Sequence, residues 1–498
     1  MQHPTASISA HELALAKRSL VFDAAWASVT GALSGGVVLV AFALSLGAGP
    51  LTIGLLAAIP FAAQAAQLPT IFLVERVRRR KLIGVGSVTL ARVVILLLAL
   101  LPFVPTAEPV LVLVLAQLSI AVLGAVAACA INSWFHQLLP AEGLGAFFGQ
   151  RLLVASGLAC VSTLAAALLI DHAPSGDTRI AFAAVFAAAG LAGFASSLSL
   201  ARTPEPAMGP PAAAMPMGLL LQEPLKDQKF RRVLLLLGSW SMASNLAAPF
   251  LTVYLIEQLG FGLSTVTTLW VASQFSNAIA LYFWGRLSDR LSNKAILAVA
   301  LPAYFTSMAG LVFVGNAESA DLQWVLLFLL HVLMGMASGG IGLATGNIGL
   351  KLAPQGRGTS YLAVVGLVTA VSGGLAPLAG GAIAQWLSAS ELSLLLRWTS
   401  PAQQREMAVL SFAHWEFLFA LSALFGLYVM HALTRVEEGA HFSERVVMQE
   451  LALEALRTVN HLSSVGGVVG SVFSFTRISD WRREMRGASP EKTQKPPS

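Results

Sequence analysis

Apolar runs of about 20 residues, the length an α-helix needs to cross the hydrocarbon core of a bilayer, recur from near Asp23 to near His431. Twelve can be marked: 21–47, 51–74, 82–104, 109–135, 152–171, 180–201, 233–256, 264–284, 295–314, 323–350, 359–387 and 411–433. Only 11% of the residues are charged, where soluble domains carry about 25%. Length is therefore no guide to domain number, and most of the chain is expected in lipid. The segments contain Pro60, Pro69, Pro249, Pro302, Pro377 and several Gly pairs. These would break soluble helices but are tolerated in membrane helices, whose neighbours recover the freed backbone groups. An all-α integral membrane fold follows.

The short breaks between segments carry the basic residues. Of 31 Lys and Arg, 27 fall on one side if both termini share it, three (Arg179, Arg397 and Arg405) fall on the other, and Arg92 lies inside a segment. Cytoplasmic loops hold the excess of positive charge, so both termini are expected in the cytoplasm, in a multi-pass protein of the cytoplasmic (inner) membrane. The same bias accounts for the pI near 9.5, and no nucleic-acid partner is required. The polar first 18 residues lead into an apolar stretch longer than a signal-peptide core with no small-residue cleavage site, so no removed signal is expected. Ser9 and Glu12 have the spacing of a capping box for a short helix before the membrane. Cys129 and Cys160 lie in apolar segments without neighbouring ligands and read as small buried residues.

The chain repeats itself. Trp26 and Trp240, Glu75-Arg76 and Asp289-Arg290, and Pro140 and Pro354 are each 214 positions apart, and Leu46-Gly47 recurs as Leu259-Gly260 at 213. Each pair occupies an equivalent place in the helix count, which predicts two six-helix bundles related by a pseudo-two-fold axis, 20–201 and 233–433. Around them lie a cytoplasmic segment (1–19), a proline-rich linker (202–232) expected to be extended, and a tail (434–498). In the tail, Val447, Leu451, Ala455, Val459 and Leu462 form an i,i+4 stripe. Beyond them Phe473, Phe475, Ile478, Trp481 and Met485 interleave with Arg477, Arg482, Arg483 and Arg486. That pattern predicts an amphipathic tail on an anionic leaflet, with a disordered end past about 486.

The stretch Gly285-x-x-x-Asp289-Arg290-x-x-x-Lys294, between the eighth and ninth segments, resembles the loop signature of the major facilitator superfamily, and the resemblance covers essentially 20–433. Between the second and third segments the signature is eroded: Ile71 stands at the first glycine, Glu75 at the acid and Arg78 at the second glycine. The resemblance implies that Glu75, Arg76, Gly285, Asp289, Arg290 and Lys294 form a cytoplasmic latch between the halves, favouring the outward-open state. A boundary carboxylate can accept from helix N-terminal amides and pair with Arg, and the plain alternative is that these are topology-setting charges and caps. Leu115-Ala116-Gln117-Leu118-Ser119 lacks the arginine usual in the family's proton-coupled drug exporters, and segment 5 lacks the antiporters' Gly-Pro-rich stretch. Both absences weaken drug–proton antiport.

In that family segments 1, 4, 7 and 10 line the path. Here they supply Asp23, Trp26, Ser28, Thr30, Gln117, Asn132, Trp240, Ser244, Asn245, His331 and Asn347. His331 is 214 positions after Gln117, so the repeat places the two facing each other across one depth. Trp26 and Trp240 are candidate aromatic walls, against an interfacial-belt alternative. Ionisable groups at membrane depth make Asp23, Arg92, His331 and Glu416 the coupling candidates, with Asp23 read more readily as the polar start of its segment. Few charges on the path favour a neutral or amphipathic solute. The implied protein is a monomeric secondary transporter working by rocker-switch alternating access, with protons as a candidate co-solute and no cofactor. No nucleophile–base set or metal-ligand cluster suggests an enzyme, whereas a solute-sensing or cofactor-delivery protein on the same scaffold would carry the same pattern.

Overall fold

The computed structural model describes residues 8–140, 143–174, 177–208, 217–290, 292–317, 319–354, 358–399, 404–438 and Gln449. Within them run twelve long helices, here spans 1 to 12: Ala10–Ser45, Pro50–Val77, Arg80–Phe103, Pro109–Leu138, Leu144–Asp171, Arg179–Ala201, Gln228–Gln258, Leu263–Arg290, Asn293–Val314, Ala320–Gly349, Ser360–Trp386 and Glu416–Thr434. Eleven are long and apolar enough to cross a membrane. Span 8 is as long as its neighbours, but Ser264, Thr265, Thr267, Thr268, Ser273, Gln274, Ser276 and Asn277 lower its hydropathy below theirs. Those hydroxyls are partly absorbed locally, as where Ser276 donates to the Ser273 and Val332 carbonyls.

The capping box forms as expected: Glu12 N–H donates to Ser9 Oγ, and Ser9 N–H to Glu12 Oε2. It starts span 1 itself rather than a separate helix, at Ala10 instead of 21. The expected extended linker is also corrected, because Met217–Lys226 is helical and Gln228 already begins span 7 under an Asp227 cap. Span 12 begins at Glu416 rather than 411. Residues 404–413 form strand β2, paired antiparallel with β1 (Glu391–Thr399) in a hairpin whose register places Leu392 opposite Phe412. Alternation of long apolar residues with Ser, Arg and Glu gave this segment a period of two that the apolar-run reading overlooked. The stripe expected in the tail lies outside the described residues.

Spans 1, 5 and 6 pack together, span 3 packs on 4 and 6, and span 2 on 4. In the second half, span 10 packs on 8 and 9, and spans 7 and 9 on 12. The halves meet where the Pro50–Ala63 part of span 2 lies along span 11, and where span 5 meets span 8. Close approach there depends on small residues: a β-carbon on Gly54 would collide with the Pro377 carbonyl. Asp171, ending span 5, accepts from Leu263 N–H at 2.9 Å and Ser264 N–H at 2.7 Å, and so caps span 8 from the other half. These contacts all lie at the end remote from the basic loops. At the basic end, the Gln67–Val77 part of span 2 packs on span 4 in its own half.

Candidate functional site

Two helix interruptions face each other between the halves. In span 1, Gly35 is extended and Gly36 adopts φ +51°, which opens the helix. In span 7, Ala248–Phe250 forms a 3-10 turn around Pro249, followed by a π-turn at Tyr254–Gln258. Pro249 stands 214 positions after Gly35, so the repeat breaks both first spans at the same place. Both breaks line one cavity of about 750 Å³, most of whose lining lies in the parts of the spans nearer the end remote from the basic loops. The first half supplies most of its wall, including Ser34, Val40, Leu56, Arg92, Gln117, Ile120 and Thr163, and the second half adds Ala248, Pro249, Thr252 and Trp270. Interrupting a helix frees backbone groups that need partners in lipid. Gln117 Nε2 sits 3.4 Å from the Ser34 carbonyl at the break, and Ser34 Oγ donates to the Thr30 carbonyl.

Beside this cavity, toward the basic end, Asp23 is buried. Its carboxylate accepts from Ser196 Oγ at 2.8 Å and pairs with Arg151 Nη2 at 3.0 Å, joining spans 1, 5 and 6. Asp23 is thus an interior ion pair, not the polar start of a segment. Arg151 also donates to the Leu20 carbonyl and lies over the Phe135 ring. Arg92 has Asp23 within electrostatic reach, packs its stem against Gly193, and reaches the cavity wall. Arg151 escaped sequence reading because it was counted as a loop charge. Its signal was its place two turns inside a helix that starts at Leu144.

Other sequence-nominated positions lie elsewhere. Ser28 donates to Ala25, and Thr30, fully buried, donates to Trp26 and Ala189 in the span 1–span 6 contact. Trp26 is exposed, while Trp240 packs edge-on against Tyr304 and Phe305, so neither is among the residues lining the cavity. Ser244 and Asn245 donate back to span 7 carbonyls. His331 is buried with Nδ1 2.8 Å from the Leu327 carbonyl of its own helix, and of the pair expected to face each other across the path only Gln117 is among the residues lining the cavity. Asn132 and Asn347 are exposed. Glu416 sits at the start of span 12, taking Ala413 N–H at 2.8 Å, Gln258 Nε2 at 3.1 Å and Tyr254 OH at 3.4 Å, which anchors the hairpin to span 7.

The expected latch residues divide. Glu75 and Arg76 are exposed and form no ion pair among the described residues; the side chains of Asp289 and Arg290 lie outside those residues. Gly285 is half-buried with open space about it. Lys294 turns to its own half, donating through Nζ to Val436 at 2.7 Å and Thr434 at 3.2 Å. Sequence reading missed two carboxylates here. Glu205, just past span 6, lies buried beside Arg80 Nε at 3.9 Å and accepts from Lys81 N–H at 3.2 Å. Glu438, just past span 12, accepts from Asn293 Nδ2 at 2.8 Å and Lys294 N–H at 2.7 Å, and pairs with Lys351. Lys81 and Lys294 are each the second residue of their half's third span, so each half bonds the start of its third span to the segment just past its sixth. The Pro204-Glu205-Pro206 triplet inside the linker was the available signal.

Two six-helix halves around a shared cavity, with paired helix breaks in its wall, define a polytopic helical membrane protein. The Major Facilitator Superfamily model matches residues 24–377, and the chain belongs to that family. It is 33% identical over 146 residues to the multidrug resistance protein MdtG of Proteus mirabilis (strain HI4320), a match spanning 28% of this chain and 34% of that protein. Among solved structures it resembles a point mutant of the nucleoside transporter NupG, with a TM-score of 0.59 at 15% identity over 86% of this chain and all of that one. It also resembles a bacterial homologue of the iron transporter ferroportin in the inward-facing state, with a TM-score of 0.58 at 13% identity over 86% and 99% of the two chains.

Proposed function

We propose that this protein is a secondary transporter that carries a small amphipathic solute by alternating access, with the basic end facing the cytoplasm. The observation carrying this reading is the cavity of about 750 Å³ between halves whose packing is concentrated at the end opposite the basic loops. That volume suits a drug-sized ligand, and the arrangement corresponds to an inward-open state. Closing the basic end and parting the Asp171 and span 2–span 11 contacts would expose the same cavity to the other side. Among the coupling candidates Asp23 is favoured for protons, since protonating its carboxylate would loosen contacts to two other spans at once.

The test is side-specific labelling. With Cys129 and Cys160 replaced, a cysteine at Ala121 in the cavity wall should react with a membrane-impermeant thiol reagent from the basic side. Over time it should also react from the opposite side as the protein cycles. Labelling confined to one side under all conditions would favour a sensor or delivery protein instead. Solute flux in proteoliposomes that ignores a pH gradient would remove the proton coupling.

A further inference from the structure

Arg92 brings an unbalanced charge to the cavity. Its Nε is buried without a hydrogen-bond partner among the described residues, and its stem is held against Gly193, where a β-carbon would collide with it. The carboxylate within its electrostatic reach, Asp23, is already held by Arg151 at 3.0 Å and Ser196 at 2.8 Å. Two guanidinium groups therefore share one carboxylate, and one positive charge is left over in the wall of a largely apolar chamber. A charge in such surroundings is costly until it is paired. Gln117 and Thr163 line the same cavity, and Val40, Leu56, Ile120 and Trp270 provide apolar surface for the rest of a ligand.

We infer that Arg92 anchors the anionic group of the solute, so that the cargo is an amphipathic monoanion of the organic carboxylate type. The inference rests on the transport reading for the word cargo, but the binding it describes does not. It narrows the neutral or amphipathic solute expected from the sequence to a charged amphipathic one; Arg92 was not counted among the path residues because span 3 was not expected to line the path. A guanidinium pairs with a carboxylate through two parallel hydrogen bonds, which no neutral group reproduces.

The test is a thermal-shift panel of amphipathic carboxylates, such as cinnamate, indole-3-acetate and octanoate, each matched with its carboxamide, on the purified full-length protein. Stabilising ligands should fall in the carboxylate arm. Arg92→Gln should weaken them by about 30-fold or more, and Arg92→Lys by less, because the charge survives without the fork. A fold check on both variants comes from gel filtration and their ligand-free melting curves. Should Arg92→Gln not fold, the carboxylate–carboxamide contrast in the wild-type protein and Arg92→Lys decides. Carboxamides stabilising as well as carboxylates, binding that survives Arg92→Gln, or no stabilising carboxylate at all would each overturn the inference. Carboxylate binding without flux in proteoliposomes would instead defeat the transport reading and leave the anion site standing.

Discussion

Removing the Asp171 side chain should shift the balance between the two open states. Its two oxygens take one amide each from the first turn of span 8, across the junction of the halves. Losing an N-cap acceptor costs about 1 kcal/mol, with a range of roughly 0.5–2. The carboxylate's charge at the positive end of a helix adds about 0.3–1 kcal/mol. Asp171 is solvent-exposed, which keeps the charge contribution near its lower bound. Asp171→Ala should therefore cost the closed junction about 1–2 kcal/mol and lower its population ratio about 5- to 30-fold. Asp171→Asn, with a single oxygen left to accept, should fall between. Gly262→Ala should act in the same direction, because a β-carbon there would crowd Asp171 Oδ2. Spin labels at the exposed residues Ala107 and Ala389, in a cysteine-free background, would report the distance across this end by pulsed electron resonance. A distance distribution unchanged by both Asp171→Ala and Gly262→Ala would refute the idea that this cap holds the junction.

Three further outcomes are expected. Arg80→Ala should cost about 3–5 kcal/mol in unfolding measurements, because it strands the buried Glu205 carboxylate and also loses bonds to Ser133, Gln137 and Pro206; adding Glu205→Gln should recover part of the loss. Arg78 holds φ +54°, a left-handed backbone that suits glycine, and donates to the Met208 carbonyl. Arg78→Gly should then stay within about 1 kcal/mol of wild type, whereas the β-branched Arg78→Val should be clearly destabilised in the same thermal-unfolding measurement. Gln117→Ala should alter the affinity of any cavity ligand, whereas His331→Gln should change it less than about twofold in the same titration, since His331 is satisfied by Leu327 outside the cavity lining.

The apolar runs made all twelve spans legible, because a bilayer sets both their length and their polarity, even though span 8 is less apolar than the other eleven. What the runs could not show was which polar side chains face the cavity. Helix facing depends on partners far away in sequence. His331 and Gln117 are related by the repeat, yet one bonds to its own helix and the other to the break in span 1. The more informative pair was Gly35 and Pro249, each visible in the sequence, whose 214-residue spacing matches the repeat but was not drawn on. Arg78 carries a related lesson: its glycine is gone from the signature while the glycine-like backbone remains. Erosion at the level of letters was not erosion of the loop.

The bonds at the basic end also bear on the linker. Pro204, Pro206 and Met208 accept from Trp134, Arg80 and Arg78 of the first half, while Asp227 and Arg232 bond to Tyr361 and Glu437 of the second. Each arm of the linker is thus stitched to the bundle it leaves or enters. Joining the bundles in one polypeptide then acts chiefly through effective concentration, and two separately synthesised bundles would retain the contacts each needs to recognise the other in the bilayer.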